Sequence, residues 1–81
     1  MYKVKKLTTE RDQYGRTVWP AEYPETFYSW CGAGFPVCFE YHKDCEQSLD
    51  IAKTLSEAQN IVNEHHEKRI NDLLMDLLEK Q

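Results

Sequence analysis

Aromatic residues are missing from the second half of this 81-residue chain, although the first half holds five tyrosines, three phenylalanines and two tryptophans. Neither half contains a recognisable catalytic or cofactor-binding motif, a repeat or a low-complexity segment. An apolar run of about 20 residues, which a membrane-spanning helix needs, is also missing. These absences predict a soluble protein that is not an enzyme and uses no cofactor.

Clustered basic charge is nearly missing too. Acidic residues outnumber basic ones by 14 to 10, and the one basic cluster is Lys3, Lys5 and Lys6. Proteins that bind nucleic acid neutralise phosphates with clustered lysine and arginine, so direct nucleic-acid binding is not expected. The acidic excess lies in residues 42–81, where it can keep the protein soluble or attract a basic partner.

A hydrophobic leader after Met1 and an even set of cysteines are missing as well. The chain has three cysteines, whereas a small secreted domain normally pairs its cysteines in disulfides. We therefore expect a reducing, cytoplasmic setting. No C-x2-C pair occurs, so a metal site is not expected. The alternative is a small zinc-binding or catalytic protein, whose candidate residues are Cys38, His42, Cys45, His65 and His66.

Alternating and turn-forming residues predict strands in the first quarter of the chain. Residues 2–8 alternate apolar with basic side chains, which predicts a first strand. The polar stretch 9–16 predicts a turn, and Thr17–Trp19 a short return strand. Pro20 and Pro24 interrupt regular pairing and indicate a loop.

A hairpin is the favoured interpretation of the middle of the chain. Residues 26–31 are compatible with a short helix or with a strand. The strand is favoured because Gly32–Gly34 and the alternating stretch Phe35–Tyr41 complete a hairpin. A turn over 42–46 and a further strand over 47–52 follow.

A loop centred on Ala33 decides which side chains of the hairpin share a face. One face then carries the residues expected in the core: Phe27, Ser29, Cys31, Phe35, Val37, Phe39, Leu49 and Ile51. Tyr28 and Trp30 lie on the other face, where two large aromatics beside carboxylates have the composition of a protein-protein hot spot. The predicted partner-binding residues are Tyr28, Trp30, Glu40 and Asp50. The alternative is that the faces are reversed or covered, so that Tyr28 and Trp30 belong to the core.

The second half predicts one long helix. Thr54 and Glu57 form a capping box, so the helix should begin at Leu55 and run to Gln81. The apolar stripe expected to cover the sheet contains Leu55, Ala58, Val62, His66, Ile70, Leu73 and Leu77. We expect His66 to be a core histidine. We expect His65 at the edge of the stripe, where Glu64 or Glu67 would favour its charged form.

This helix should be longer than the domain that it covers. Residues 55–81 span about 40 Å, whereas a domain of this length is about 30 Å across. About two turns should overhang, and each exposed leucine forgoes about 1.5 to 3 kcal/mol of burial. We therefore expect self-association through Ile70, Leu73, Leu74, Leu77 and Leu78. The alternatives are a helix that bends its end back onto the sheet, or a different protein as partner.

These patterns together predict one α+β domain over residues 1–81, with strands within 2–52 and the helix over 55–81. Its small antiparallel β-sheet of four or five short strands packs against the one long C-terminal helix. The expected function is non-enzymatic protein binding by a small acidic module that also forms a homodimer. Proteins of this size and charge are often regulators or inhibitors, including accessory proteins of phages and mobile elements that block a basic host factor.

Overall fold

The computed structural model describes residues 4–21, 26–41 and 44–79, with side chains except at 41, 44–46 and 76–79. The elements in chain order are β1 (Glu10–Arg11), β2 (Thr17–Pro20), β3 (Thr26–Trp30), β4 (Phe35–Tyr41), β5 (Asp44–Ala52) and α1 (Leu55–Glu79). The five strands form one antiparallel sheet in sequence order, and α1 packs against β4 and β5. The predicted α+β arrangement is confirmed, and 26–30 is a strand rather than a helix.

The first strand lies later than predicted. Within 4–9 no strand forms, and β1 occupies two residues that were expected in the turn. The reason is that Leu7 is buried in the core, and its backbone N-H donates to Oδ1 of Asn63 on α1 at 3.1 Å. This segment is therefore tied to the helix and not to the edge of the sheet.

The turn between β3 and β4 has two central residues, Ala33 and Gly34, where one had been expected. The N-H of Phe35 donates to the C=O of Gly32 at 3.1 Å, and Gly34 has a φ of 87°. A positive φ at the third position is typical of a type II turn and is reached most easily by glycine. The turn centre consequently lies half a residue beyond Ala33.

The predicted register of this hairpin is therefore wrong by one residue. Tyr28 pairs with Phe39, and Ser29 pairs with Cys38. A slip of one residue turns every side chain of a strand to the opposite face of the sheet. Tyr28 and Trp30 accordingly lie in the core, as in the alternative interpretation. The core cluster consists of Leu7, Trp19, Tyr28, Trp30, Val37, Phe39, Ala52, Ala58 and Val62.

The pairing of β5 with β4 is irregular. Pro36 pairs with Ile51, but Cys38 pairs with Ser48, so one extra residue of β5 is accommodated there. Such a bulge breaks the alternation of faces. Leu49 packs against the core, whereas Ile51, expected on the same face, is exposed. The predicted turn over 42–46 is partly replaced by β5, which begins at Asp44; residues 42 and 43 lie outside the described set.

The start of the helix is confirmed at Leu55. Thr54 Oγ1 accepts a hydrogen bond from the N-H of Glu57 at 3.2 Å, and the Glu57 carboxylate accepts one from the N-H of Lys53 at 2.9 Å. In the usual capping box the Glu side chain accepts from the N-H of the N-cap residue. Here Glu57 accepts instead from Lys53, the residue before the N-cap residue Thr54. The buried stripe advances in steps of four residues and consists of Ala58, Val62, His66 and Ile70. Leu55, expected in that stripe, is exposed.

Replacing Trp30 tests the corrected register. Trp30→Ala should reduce the free energy of unfolding by about 3 to 5 kcal/mol, because it removes a buried indole from the core. Phe35→Ala is the matched control, since Phe35 is exposed and only its backbone C=O accepts a hydrogen bond from Trp30 Nε1. Chemical denaturation measures both changes. Equal losses for the two variants would contradict the burial of Trp30.

Candidate interaction surface

The end of α1 exposes apolar side chains beyond the part of the helix that covers the sheet. The helix is unbroken from Leu55 to Glu79, about 37 Å at 1.5 Å per residue, and the molecule measures 43 × 23 × 19 Å. Ile70, 9% exposed, is the last buried helix residue in the described set. Beyond it Leu73 is 36% exposed and Met75 58%. The helix therefore does not break and fold its end back.

We call Leu73, Leu74, Met75, Leu77 and Leu78 the apolar end of α1. Leu74 is half-buried, and the side chains of Leu77 and Leu78 lie outside the described set. Of the residues predicted for self-association, Ile70 belongs to the buried stripe of its own chain, so its assignment is wrong. The exposed part begins at Leu73, where the overhang was expected.

The four predicted partner-binding residues do not share a surface. Tyr28 and Trp30 are buried on the face that α1 covers. Glu40 lies on the opposite face and is only 6% exposed, which leaves Asp50 as the one exposed member. The interpretation of Tyr28 and Trp30 as exposed anchors is wrong, because it followed from the misplaced turn centre.

Glu40 instead belongs to a polar network on the uncovered face of the sheet. The Ser29 hydroxyl donates to the Glu40 carboxylate, and Arg16 Nη1 lies 3.4 Å from the same oxygen. Arg16 Nε also donates to Asp12 Oδ2 at 2.8 Å. The hydrogen bond to Asp12 raises the pKa of Arg16. The network connects the β1-β2 turn to the centre of the sheet, so the Glu40 carboxylate has a structural role.

The Asp12 end of this network has a local cause, and the Glu40 end does not. Burial acts to raise the pKa of Asp12, but hydrogen bonds from Arg16 and from the backbone N-H of Tyr14 lower it overall. The spacing Asp12-x3-Arg16 around Gly15 was a signal that sequence reasoning could have used. No local pattern indicates that Glu40, 24 residues after Arg16, completes the network.

Removing the Arg16 guanidinium should leave the buried Glu40 carboxylate with the hydroxyl of Ser29 but without its charged partner. Arg16→Met should reduce the free energy of unfolding by about 1 to 3 kcal/mol. In a Glu40→Gln background the same change should cost less than half as much, because no charge remains to be compensated. Arg11→Met, on the same turn but exposed, should stay within about 0.5 kcal/mol. Additive losses in this double-mutant cycle would show that Arg16 and Glu40 do not interact.

The edges of the sheet offer poorer docking surfaces than the helix end. β1 has only two residues, and β5 pairs with β4 through two register irregularities. The sequence of β5 also contains Asp44, Glu46 and Asp50. Short edges, bulges and edge charges all oppose the addition of another strand. Strand addition at β5 or β1 is thus disfavoured.

Histidines line the contact between α1 and the sheet. Nδ1 of His65 lies 2.8 Å from the Tyr28 hydroxyl, and its Nε2 lies 3.3 Å from Oε1 of Gln47. His66 is buried in the stripe, as predicted. Burial, followed by the charges of Arg69, Lys68 and His66, lowers the pKa of His65. The expectation that Glu64 or Glu67 favours the charged form of His65 is therefore wrong.

The sulfur and metal chemistry of the described residues is sparse. Cys31 is exposed and Cys38 is half-buried, and neither of these two cysteines is part of a disulfide. Within the described part of the chain, no three His, Cys, Asp or Glu side chains are grouped to hold a metal ion. His42 and the Cys45 side chain lie outside that part. None of the described helices combines the length and apolar content needed to cross a membrane.

Comparison with known proteins adds no functional information. No protein-family model matches the chain, and neither does any curated protein or solved structure.

Proposed function

We propose that this protein is a non-enzymatic interaction module whose apolar end of α1 binds a second copy of the chain. The observation that carries the proposal is the unbroken run of α1 past Ile70, which leaves Leu73 and Met75 in water. Each exposed leucine forgoes about 1.5 to 3 kcal/mol of burial. A core of this size supplies only about 3 to 5 kcal/mol, so covering the apolar end is worth a similar amount.

The exposed side of α1 is acidic, so a different protein that binds there would contact negative charge. The solvent side of α1 exposes Glu57, Glu64, Glu67 and Asp72, and Lys68 is the exposed basic residue among them in the described part. Complementary charge speeds association and selects the partner. These charges support a role as a regulator or inhibitor of a basic protein. Cys31 and Cys38, which are not joined in a disulfide, fit a reducing, cytoplasmic setting.

Sedimentation equilibrium tests the proposed dimer. The wild-type chain should be dimeric at micromolar concentration, and Leu73→Glu/Leu74→Glu should be monomeric because it places charge at the centre of the apolar end. Leu55→Glu is the matched control, since Leu55 is an exposed leucine at the opposite end of the same helix. It should remain dimeric.

Circular dichroism should give the same helix content for both variants, which separates loss of binding from loss of folding. A wild-type chain that stays monomeric up to high micromolar concentration would refute the dimer. A Leu55→Glu variant that dissociates as readily as the double variant would place the contact elsewhere.

A further inference from the structure

Two adjacent histidines occupy the contact between α1 and the sheet, away from the apolar end. His66 is 1% exposed, and its ring lies edge-on to Tyr28 with centroids 6.5 Å apart. His65 bridges the hydroxyl of Tyr28 and the amide of Gln47. Each histidine is therefore part of the packing that holds the helix on β3, β4 and β5.

A neutral ring satisfies both hydrogen-bond partners of His65. Oε1 of Gln47 can only accept, so Nε2 carries the hydrogen and Nδ1 accepts from the buried Tyr28 hydroxyl; this tautomer follows from the partners. A proton on Nδ1 would take away the acceptor that Tyr28 uses. Burial raises the pKa of Tyr28 to about 12, so the phenol remains uncharged and cannot serve as a counter-ion.

The charges around this contact also oppose protonation. On α1, Lys68 and Arg69 add positive charge, and the Arg69 guanidinium lies 4.4 Å from the centre of the Phe39 ring. Glu64 and Glu67 are exposed. The facing residues of the strands are uncharged and consist of Tyr28 on β3, Phe39 on β4 and Gln47 on β5. Glu40 lies on the other face, and the side chains of Asp44 and Glu46 lie outside the described set.

We propose that His65, packed beside the buried His66, forms an acid-sensitive contact, which holds α1 on the sheet while the His65 ring is neutral and weakens when that ring takes up a proton. A proton on His65 would add positive charge beside Lys68 and Arg69 and would take the Nδ1 acceptor from the buried Tyr28 hydroxyl. The released helix would uncover the apolar surface of Tyr28 and Phe39. This acid-sensitive contact does not depend on the proposed dimer.

The sign of the pH effect follows from the direction of the shift. The pKa of His65 is lower in the folded chain than in the unfolded chain, where it is about 6.5. The unfolded chain therefore binds more protons below this pH. The stabilisation is fully present above about pH 6.5 and is lost as the pH falls from there through the folded pKa.

Urea unfolding between pH 8 and pH 5.5, followed by the fluorescence of the buried Trp19 and Trp30, tests the contact. The unfolding equilibrium constant of the wild-type chain should rise over this range, by up to about tenfold for one histidine that binds its proton only in the unfolded chain. His65→Gln/His66→Leu should abolish most of that rise, because glutamine still accepts from Tyr28 and neither residue titrates. His42→Gln is the matched control and should keep the wild-type dependence.

Hydrogen exchange adds a local readout. Acid should lower the protection factors of α1 amides more than those of β2 and β3. If the double variant does not fold, His65→Gln alone should remove part of the rise. The proposal would be overturned if the unfolding equilibrium constant rose as much in the histidine variants as in the wild-type chain, or if His42→Gln removed that rise. Equal loss of protection in helix and sheet would also overturn it.

Discussion

The rest of the structure depends on the contact between the inner side of α1 and the aromatic side chains of the sheet. Trp19 and Tyr28 are among the largest fully buried side chains, and they lie under a helix stripe of Ala58 and Val62. One helix can cover only one face of a sheet, so most of the large apolar side chains must lie on that face. The stripe ends at Ile70, whereas the helix continues to Glu79. The same contact that stabilises the fold therefore leaves an apolar end without cover from its own chain in the described residues.

The two faces of the sheet are held by different forces. The covered face is apolar apart from the histidine contact, in which His65 bridges Tyr28 and Gln47. The uncovered face is organised around Ser29, Glu40 and Arg16, where a carboxylate is held by a hydroxyl and a guanidinium. A buried charge costs desolvation and needs its partners, so this network specifies where the β1-β2 turn lies.

Patterns within a few residues predicted the strands and the helix well, whereas the strand register and the contacts between distant residues were not predicted. Thr54 and Glu57 indicated the first residue of the helix, because capping is a contact between near neighbours. The register of the hairpin depended on whether the turn centre lay at Ala33 or between Ala33 and Gly34, a difference of half a residue that composition does not determine. Composition likewise does not determine the bulge in β5, which leaves Ile51 exposed. The environment of His65 depended on Tyr28, 37 residues away, and no pattern in the helix could reveal it.

α1 extends beyond the core, and we propose that its apolar end binds a second copy of the chain. Residue-resolved amide NMR spectra recorded while the protein is diluted from millimolar to low micromolar concentration test it most directly. The account predicts that the amide shifts change with concentration mainly after Ile70, with little change in β1 to β5. Shifts that do not depend on concentration, or changes concentrated along β5, would contradict it.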